Sequence, residues 1–260
     1  MHLPIYQADA FTSKVFGGNP AAVCPLDEWL PDDLMQSIAE ENNLSETAFF
    51  VKEGDHYALR WFTPVAEVDL CGHATLATAH IMYTELGHTA PELAFDTRSG
   101  MLKVKKLDQG YSMNFPTDPL TPVETPAEIT DGLKLTPQET FRGKTDYLVV
   151  IDSQEQLETL QPDFRALAQG KVRGTIVTAP GNEVDFVSRC FYPQYGIDED
   201  PVTGSAHTTL TPYWSERLDK KQLSAQQLSA RKGELTCIDH GDRTELIGQA
   251  VTYLRGEINI

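Results

Sequence analysis

The chain contains 260 residues, of which 40% are hydrophobic and 23% charged; this composition excludes a disordered protein and allows one large domain or two small ones. Its 21 basic and 38 acidic residues give a formal net charge of −17, which disfavours binding to nucleic acids or to anionic membrane surfaces. No apolar run is long enough to span a membrane, no secretory leader is recognisable, and four scattered cysteines predict reduced thiols in a cytoplasmic protein.

The first half of the chain alternates between extended and helical patterns. Pro31, followed by two aspartates, predicts the start of a first helix. An Ala-, Leu- and Thr-rich segment before Gly87 predicts a second one, because glycine often follows the last turn of a helix. In chain order, we predict a turn at 17–23, a helix at 31–42, a strand at 57–62, an acidic turn at 63–70, a helix at 72–86, and strands at 93–104 and 110–115.

Five prolines between positions 116 and 137 separate this half from the next. They predict a linker at about 116–127, an N-terminal lobe at 1–118 and a C-terminal lobe at 119–260, with a final strand that could pack on the other lobe. In chain order, the second half is predicted to contain a strand at 145–151, a helix at 154–161, a strand at 184–191, a turn at 193–203, a helix at 204–218, and strands at 227–238 and 244–248.

Three short motifs occur twice, in the same order and at nearly constant spacing. R-W-F-T-P at 60 and R-C-F-Y-P at 189 lie 129 positions apart, G-H-A-T at 72 and G-S-A-H at 204 lie 132 apart, and T-R-S-G at 97 and A-R-K-G at 230 lie 133 apart. This spacing predicts a duplicated domain. Strands around one mostly apolar helix per half predict an α+β fold, in which each lobe is a curled, mostly antiparallel sheet around a central helix.

The repeated glycines stand where the two central helices are predicted to begin. Gly72-His73-Ala74 and Gly204-Ser205-Ala206 would leave backbone N–H groups exposed at a positive helix end, where a substrate carboxylate could bind. The alternative is that these glycines only permit tight turns between strand and helix.

Acidic side chains precede these helices and one strand. Asp69 and Asp200 stand just before the helix starts; such carboxylates are usually N-caps, although one that lines a dry cleft can transfer protons. Glu46 stands before T-A-F-F, either on the inward face of a strand or at a plain edge position. Gly17-Gly18-Asn19 forms a turn, or a loop at the same cleft.

Four motifs give the chain a resemblance to a known family. G-G-N-P-A-A-V, S-E-T-A-F, F-T-P-x-x-E-V-D-L-C-G-H-A-T and D-P-V-T-G-S-A-H, in this order, resemble the PhzF-type (phenazine biosynthesis-like) isomerases, which have the diaminopimelate epimerase-like fold. The resemblance implies two barrel-like lobes, an active site between them, no cofactor, no metal, and a homodimer. It implies catalytic roles for Glu46, Asp200 and His73, and substrate contacts for Gly72, Gly204, Ser205 and Asn19.

The resemblance also separates possible mechanisms. Epimerases of this fold use two thiols, but Thr203 stands where a second thiol matching Cys71 would be needed. We therefore expect an isomerase in which Glu46 moves a proton on a small carboxylate-bearing substrate, while His73 binds the substrate or orients Asp200. Two alternatives stay open: a two-base epimerase that uses Glu46 and Asp200, and a binding protein without turnover.

Three further interpretations are less favoured. His73 and His80 lie seven residues apart on one predicted helix, about 10 Å along its axis, which is too far for a shared metal ion. Cys71 is more plausible as a small buried residue than as a nucleophile, because no histidine is expected close enough to activate it. Gly17-Gly18-Asn19 lacks the spacing of a dinucleotide-binding motif.

Overall fold

The computed structural model describes residues 2–260. The strands, in chain order, are β1 His2–Ala10, β2 Asn19–Leu26, β3 Glu46–Glu53, β4 His56–Phe62, β5 Glu67–Val68, β6 Glu92–Thr97, β7 Gly100–Lys106, β8 Tyr111–Pro116, β9 Thr121–Pro122, β10 Glu139–Arg142, β11 Asp146–Val150, β12 Gly174–Pro180, β13 Phe186–Tyr192, β14 Ile197–Asp200, β15 Gln222–Gln227, β16 Gly233–Asp239, β17 Arg243–Gly248 and β18 Ala250–Asn259. The helices are α1 Asp32–Asn42, α2 Gly72–Thr84, α3 Ala127–Leu133, α4 Gln154–Thr159, α5 Phe164–Leu167 and α6 Gly204–Leu218, with a 3-10 turn at Pro193–Tyr195.

The chain divides into two units. The first extends to Asn114 and includes Ile247–Ile260, and the second is Phe115–Leu246. In the first unit, the strands pair in the order β18, β1, β2, β3, β4, β6, β7, β8, and β5 pairs with the end of β4. Only β2–β3 and β4–β6 in this series are parallel. The predicted lobe boundary at 118/119 stays a prediction.

The second unit repeats this order of pairings. Its strands pair in the order β9, β10, β11, β12, β13, β15, β16, and β14 pairs with β13. The β11–β12 and β13–β15 pairs are parallel, as are their counterparts β2–β3 and β4–β6. Each unit thus combines a mainly antiparallel sheet with few helices.

One helix in each unit is buried along most of its length. Every residue from His73 to Tyr83 of α2 is buried, and this helix packs on β1, β2, β3 and β18. Its threonines tolerate burial because their hydroxyls donate to carbonyl oxygens one turn earlier, as Thr75 does to Cys71 and Thr78 does to Ala74. A helix that is buried on all sides needs apolar or internally satisfied residues all round, and α2 has both.

Shorter helices cover a second hydrophobic cluster in each unit. In the first unit, Met35 and Ile38 of α1 pack with Phe49 and Phe62. In the second unit, the same role belongs to α3, α4 and α5, whose apolar side chains pack against β11, β12 and β13; the cluster includes Ile129, Leu133, Leu157, Leu167, Val149, Val177 and Phe191.

The repeated R-x-F motif builds the same ion pair in both units. Arg60 binds Glu67 through two hydrogen bonds of 2.7 Å, and Arg189 binds Glu199 through bonds of 2.7 and 2.8 Å. Each guanidinium also lies over the phenyl ring two residues later, at 5.1 and 5.2 Å from the ring centre. The motif is therefore explained by the fold and not by catalysis.

Several element predictions need correction. The predicted turn at 17–23 is wrong from residue 19 onward, because β2 starts there; the turn at 193–203 contains a 3-10 turn and strand β14. The linker at 116–127 contains β9, which pairs with β10. Both central helices form where predicted, although α2 ends at Thr84 instead of residue 86. No helix within residues 2–260 is long and apolar enough to cross a membrane.

Candidate functional site

Glu46 is the first residue of β3 and pairs with Ala21 of β2. Helix α1 ends four residues earlier, and Asn43 takes a left-handed conformation that turns the chain toward the strand. The Glu46 side chain is only 13% exposed, and its Oε2 lies 3.1 Å from Nε2 of His73. Glu46 therefore faces a buried imidazole and not bulk solvent.

His73 is the second residue of α2, so the start of that helix fixes its position. Besides Glu46 at Nε2, it has two neighbours at Nδ1: Nδ2 of Asn19 at 3.2 Å and Sγ of Cys71 at 3.4 Å. These contacts bring together three of the residues predicted from the sequence. Gly72, a fourth, precedes His73 and opens the helix.

Asn19 reaches His73 because of the turn before β2. Gly18 has a φ of +60°, and a Cβ there would lie 2.0 Å from the carbonyl oxygen of Ala10, so only glycine fits. Asn19 itself is fully buried. Its amide contacts the imidazole of His73, and its predicted contact with substrate stays a prediction.

The charge of His73 and the orientation of the Asn19 amide are coupled. An amide nitrogen only donates, so a neutral imidazole accepts from Asn19 at Nδ1 and carries its proton on Nε2, the nitrogen that lies 3.1 Å from Oε2 of Glu46. In a protonated imidazole Nδ1 also donates, and the amide must then rotate to present its oxygen.

The surroundings of His73 favour its charged form. Burial lowers the pKa of His73, but the neighbouring Cys71 and Glu46 outweigh burial and raise the pKa well above its ordinary value. Burial, aided by the Glu46 carboxylate, raises the pKa of Cys71 to about 11, so this thiol is neutral at physiological pH. The charge that stabilises an imidazolium is therefore that of Glu46.

The expectation that no histidine lies near Cys71 is wrong, since His73 is in contact with it. The interpretation of Cys71 as a buried, unreactive residue nevertheless fits its 6% exposure and its raised pKa. The four cysteines are all buried and free.

Within the described part of the chain, residues 2–260, Glu46, Cys71 and His73 form the one group of three potential metal ligands, since their ligand atoms lie within 4.8 Å of one another. The carboxylate lies beside Nε2, however, whereas the thiol lies beside Nδ1. The lone pairs of the two ring nitrogens diverge, so one ion on either nitrogen is directed away from the third ligand. The geometry suits hydrogen bonding and proton transfer better than metal binding.

Neither central helix is capped by the acidic residues before it. The N-cap residues are Cys71 and Thr203, and neither side chain accepts a capping hydrogen bond. Asp200, predicted as an N-cap or a proton donor, instead accepts a hydrogen bond from the Thr203 hydroxyl. The N-cap interpretation of Asp69 and Asp200 is therefore wrong.

A polar network in the second unit holds Asp200 and the start of α6. Thr203 N–H donates to Oε1 of Gln227 at 2.8 Å, and Nε2 of Gln227 donates to the Asp200 carbonyl at 2.8 Å. Gln227 is fully buried and Asp200 is 9% exposed. Gly204 follows Thr203 as the first residue of α6.

Arg173 and Asp146 surround Ser205, a predicted site residue of the second unit, and the sequence did not predict either of them. Arg173 forms a two-bond ion pair with the buried Asp146, lies over the ring of Tyr192 at 5.1 Å, and donates to Oγ of Ser205 at 3.0 Å. Because Oγ accepts from the guanidinium, the Ser205 hydroxyl keeps its proton available for donation. The only available signal was an acid near the start of the predicted strand at 145–151, because the strand that Arg173 precedes, β12, was not predicted.

The residue of the second unit that corresponds to Glu46 can be identified from the strand pairings β3–β4 and β12–β13. Thr47 and Thr175 both pair with the phenylalanine of the repeated motif. The residue before each is Glu46 in one unit and Gly174 in the other. A Cβ at Gly174 would lie 2.1 Å from the ring of Tyr192, so the second unit has an aromatic ring where the first has a carboxylate.

His80 belongs to the packing of α2, as expected. Its Nδ1 lies 3.0 Å from the Tyr111 hydroxyl and its Nε2 lies 3.0 Å from that of Thr252. In the second unit, His207 donates from Nδ1 to the Thr203 carbonyl at 2.8 Å, since a carbonyl only accepts. Burial lowers the pKa of each histidine to about 4.

Comparisons with known proteins add to this geometry. A family model described as phenazine biosynthesis-like protein matches residues 8–256. An uncharacterized isomerase of Pseudomonas aeruginosa is 50% identical over the full length of both chains. The crystal structure of a phenazine biosynthesis protein of the PhzF family from Enterococcus faecalis is 46% identical, covers 100% of both chains and has a TM-score of 0.97.

A more distant likeness concerns the fold alone. The crystal structure of a hydroxyproline epimerase from Agrobacterium vitis is 10% identical, covers 99% of this chain and 92% of its own, and has a TM-score of 0.63. Together with the Enterococcus structure, it confirms the predicted α+β, epimerase-like fold.

Proposed function

Because the chain belongs to the phenazine biosynthesis-like protein family, as its motifs predicted, we propose that Glu46 moves a proton on a small carboxylate-bearing substrate without a cofactor. The expectation of an enzyme of the isomerase class is confirmed by relatives that are 48–50% identical and are named isomerases. The substrate and the mechanism are the parts proposed here.

The contact between Glu46 and His73 carries the proposal. A carboxylate held beside an imidazole can take a proton from an activated carbon and return it to another, which is the elementary step of an isomerisation. The 13% exposure of Glu46 leaves it a path to a ligand while keeping most water away.

His73 supplies the second half of this chemistry. Proton removal next to a carboxylate leaves negative charge on the substrate, and a protonated His73 at the start of α2 would stabilise it. The uncapped N–H groups of α2 add to this effect, since a helix N-terminus carries a positive partial charge. Asn19 then acts as a positioning residue that holds the imidazole ring.

The roles of Asp200, Gly204 and Ser205 as catalytic and substrate-binding residues are part of the proposal. The Ser205 hydroxyl, which accepts from Arg173, is oriented to donate to a substrate oxygen. We further propose that the two units arose by duplication and that only the first kept an acid at the position of Glu46. A glycine at the matching position favours a single acid/base over a symmetric pair.

The test is hydrogen exchange in deuterated water. The protein is incubated with a panel of small carboxylic and amino acids, and deuterium in each is measured by proton NMR. We expect the native protein to label at least one compound, and Glu46→Gln to label it at least about 10³-fold more slowly.

Glu53→Gln is the matched control, because Glu53 lies at the exposed end of the same strand. Unchanged exchange in Glu46→Gln would overturn the proton-transfer role. Labelling on both faces of one carbon, with each face lost separately in Glu46→Gln and Asp200→Asn, would indicate a two-base epimerase instead. Tight binding of a carboxylic acid without any exchange would indicate a binding protein.

A further inference from the structure

In each unit, a side chain near the start of one strand contacts the second residue of the central helix. In the first unit, Glu46 at the start of β3 contacts His73 of α2. In the second unit, Arg173 stands just before β12 and contacts Ser205 of α6. His73 and Ser205 lie 132 positions apart, which is the spacing of the repeated helix-start motifs. The two contacts are therefore counterparts: an acid beside an imidazole in one unit, and a cation beside a hydroxyl in the other.

The glycine after Arg173 makes room for this arrangement. Gly174 corresponds to Glu46 by strand pairing, and a Cβ on it would lie 2.1 Å from the ring of Tyr192. The guanidinium of Arg173 lies over that same ring, 5.1 Å from its centre. The missing side chain at position 174 thus admits an aromatic ring, and the ring supports the arginine.

Asp146 fixes the plane of the guanidinium. It is 2% exposed and accepts from Nε and Nη2 of Arg173, a two-bond arrangement that holds the planar group in one orientation. Burial lowers the pKa of Arg173, but the bonds to Asp146 outweigh burial and hold this pKa above its ordinary value. The arginine therefore stays protonated, and its nitrogens can only donate hydrogen bonds.

Another paired arginine of the second unit uses its donors differently. Arg189 donates from Nη1 to the backbone carbonyls of Leu157 and Leu160, so its bonds hold the scaffold. Arg173 instead donates to a side chain that the family resemblance assigns to the substrate. Because Asp146 neutralises the charge of Arg173, this bond acts through its direction and not as a free positive charge.

The hydroxyl of Ser205 depends on Arg173 for a fixed direction. Threonines further along the central helices donate to carbonyls one turn earlier, as Thr211 does to His207. Ser205 is the second residue of α6, so no carbonyl of the helix lies one turn before it. Within residues 2–260, its Oγ has one hydrogen-bond partner, Nη2 of Arg173 at 3.0 Å. Because that nitrogen donates, Oγ accepts, and the hydroxyl proton is left for an external acceptor.

We propose that Arg173, held by Asp146, is a positioning residue that fixes the Ser205 hydroxyl as a hydrogen-bond donor to a substrate oxygen. The inference rests on the proposed function, since the direction of the hydroxyl matters only if Ser205 meets the substrate. The group bound there must accept a hydrogen bond, as a carboxylate oxygen does and an amide nitrogen does not. A freely rotating hydroxyl would be spread over three staggered directions, so loss of Arg173 should weaken substrate binding by at least about threefold.

The test measures deuterium exchange at several concentrations of a compound that the native protein labels. In Arg173→Lys the positive charge is kept, but lysine lacks the planar fork that reaches Asp146 and Ser205 together. We expect KM to rise about three- to tenfold and kcat to stay within about twofold, because the oriented hydroxyl binds the substrate before the proton moves.

A double-mutant cycle separates this role from a purely structural one. Once Ser205→Ala has removed the hydroxyl, Arg173→Lys should change kcat/KM by less than about twofold, because no hydroxyl is left to orient. A residue that only supports the fold would cause the same loss with and without the hydroxyl. Equal losses in the two backgrounds would overturn the inference.

Two further variants guard against a folding defect. Arg173→Met combined with Asp146→Leu removes both charges together, which buried ion pairs often tolerate, and it should raise KM as Arg173→Lys does. Arg142→Lys is the matched control and should keep the native KM. Arg142 donates to the Asp146 carbonyl at 3.2 Å and lies 5.3 Å from the ring centre of Tyr147, and in the described chain its hydrogen-bond partner is that carbonyl and not Ser205.

The same assay distinguishes this inference from the function on which it rests. Absence of exchange in the native protein, or full exchange in Glu46→Gln, would overturn the proposed function and the role of Arg173 with it. Exchange that depends on Glu46 but keeps its native KM in Arg173→Lys and in the double substitution at 146 and 173 would overturn the positioning role alone.

Discussion

The two units share the same arginine–glutamate ion pair, but their central helices begin with different residues. This comparison distinguishes residues that stabilise the fold from candidates for catalysis. Arg60–Glu67 and Arg189–Glu199 have nearly the same bond lengths, so this pair is common to both. The helix starts differ: Cys-Gly-His opens α2, whereas Thr-Gly-Ser opens α6. Residues that recur in both units therefore report on folding, and residues that differ are the better candidates for catalysis.

The largest expected effect is on stability and concerns the shared pair. Arg189→Met should lower the free energy of unfolding by about 3–5 kcal/mol, because it leaves Glu199 without its buried partner. Arg189 also donates to the carbonyls of Leu157 and Leu160, which lose a donor. Urea unfolding followed by circular dichroism measures the loss.

Arg60→Met, the equivalent substitution in the first unit, should lower the free energy of unfolding by less, about 2 kcal/mol. Glu67 keeps a second partner in Arg98, and the third contact of Arg60 is the exposed Asp32. Hydrogen exchange read separately in β4 and β13 assigns each loss to its unit. Equal losses from the two substitutions would contradict this explanation.

The second effect is a loss of folding stability at low pH, to which one buried histidine in each unit contributes. Burial lowers the pKa of His80 and of His207 to about 4, whereas the unfolded value is about 6.5. Between these values the unfolded chain binds more protons, so stability falls as pH falls, by about 3 kcal/mol for each histidine. Unfolding at pH 7.5 and pH 4.5 tests this; His80→Gln and His207→Gln should each flatten the profile.

The third effect compares the residues that follow the two helix-start glycines. His73→Gln should slow deuterium exchange into substrate by about 10²-fold, because a charged donor to the developing anion is lost. Ser205→Ala should slow it by about tenfold, since it removes a neutral hydrogen bond. The ratio of the two rates checks the comparison, and a larger loss in Ser205→Ala would reverse the assignment.

The smallest effect on exchange is expected when Cys71 is replaced by threonine, the residue that precedes the central helix in the second unit. Cys71→Thr should keep exchange within about threefold of native, because a thiol with a pKa near 11 is neutral at working pH. Native protein should also resist iodoacetamide at pH 7.5. Rapid alkylation with loss of exchange would give Cys71 a chemical role.

The sequence predicts the helix starts because a local pattern carries them. Glycine followed by small residues, after an acidic turn, marks the first turn of both α2 and α6. The contact of Glu46 with His73 joins residues 27 positions apart, and no local pattern contains it. The family resemblance gave a role to each residue but did not predict their contact, which the structure shows.

Other features depend on pairing between distant strands. Arg173 meets Asp146 because β11 and β12 run parallel and place Asp146 opposite Gly174. Asn19 was assigned to a turn because Gly17, Gly18 and Pro20 are turn formers, yet tertiary pairing with β1 starts the strand at Asn19 and includes Pro20. The exposed β18 lacks the alternation that predicts a half-buried strand.

The position of β18 has a consequence for biosynthesis. The second unit is one continuous stretch of chain that ends before β18 begins, so it contains all its strands without that segment. The first unit lies earlier in the sequence but obtains an edge strand of its sheet only after the second has been made. The portion translated first is therefore expected to reach its native state last, and a released fragment that ends at residue 249 should protect residues 115–246 from protease better than residues 2–114.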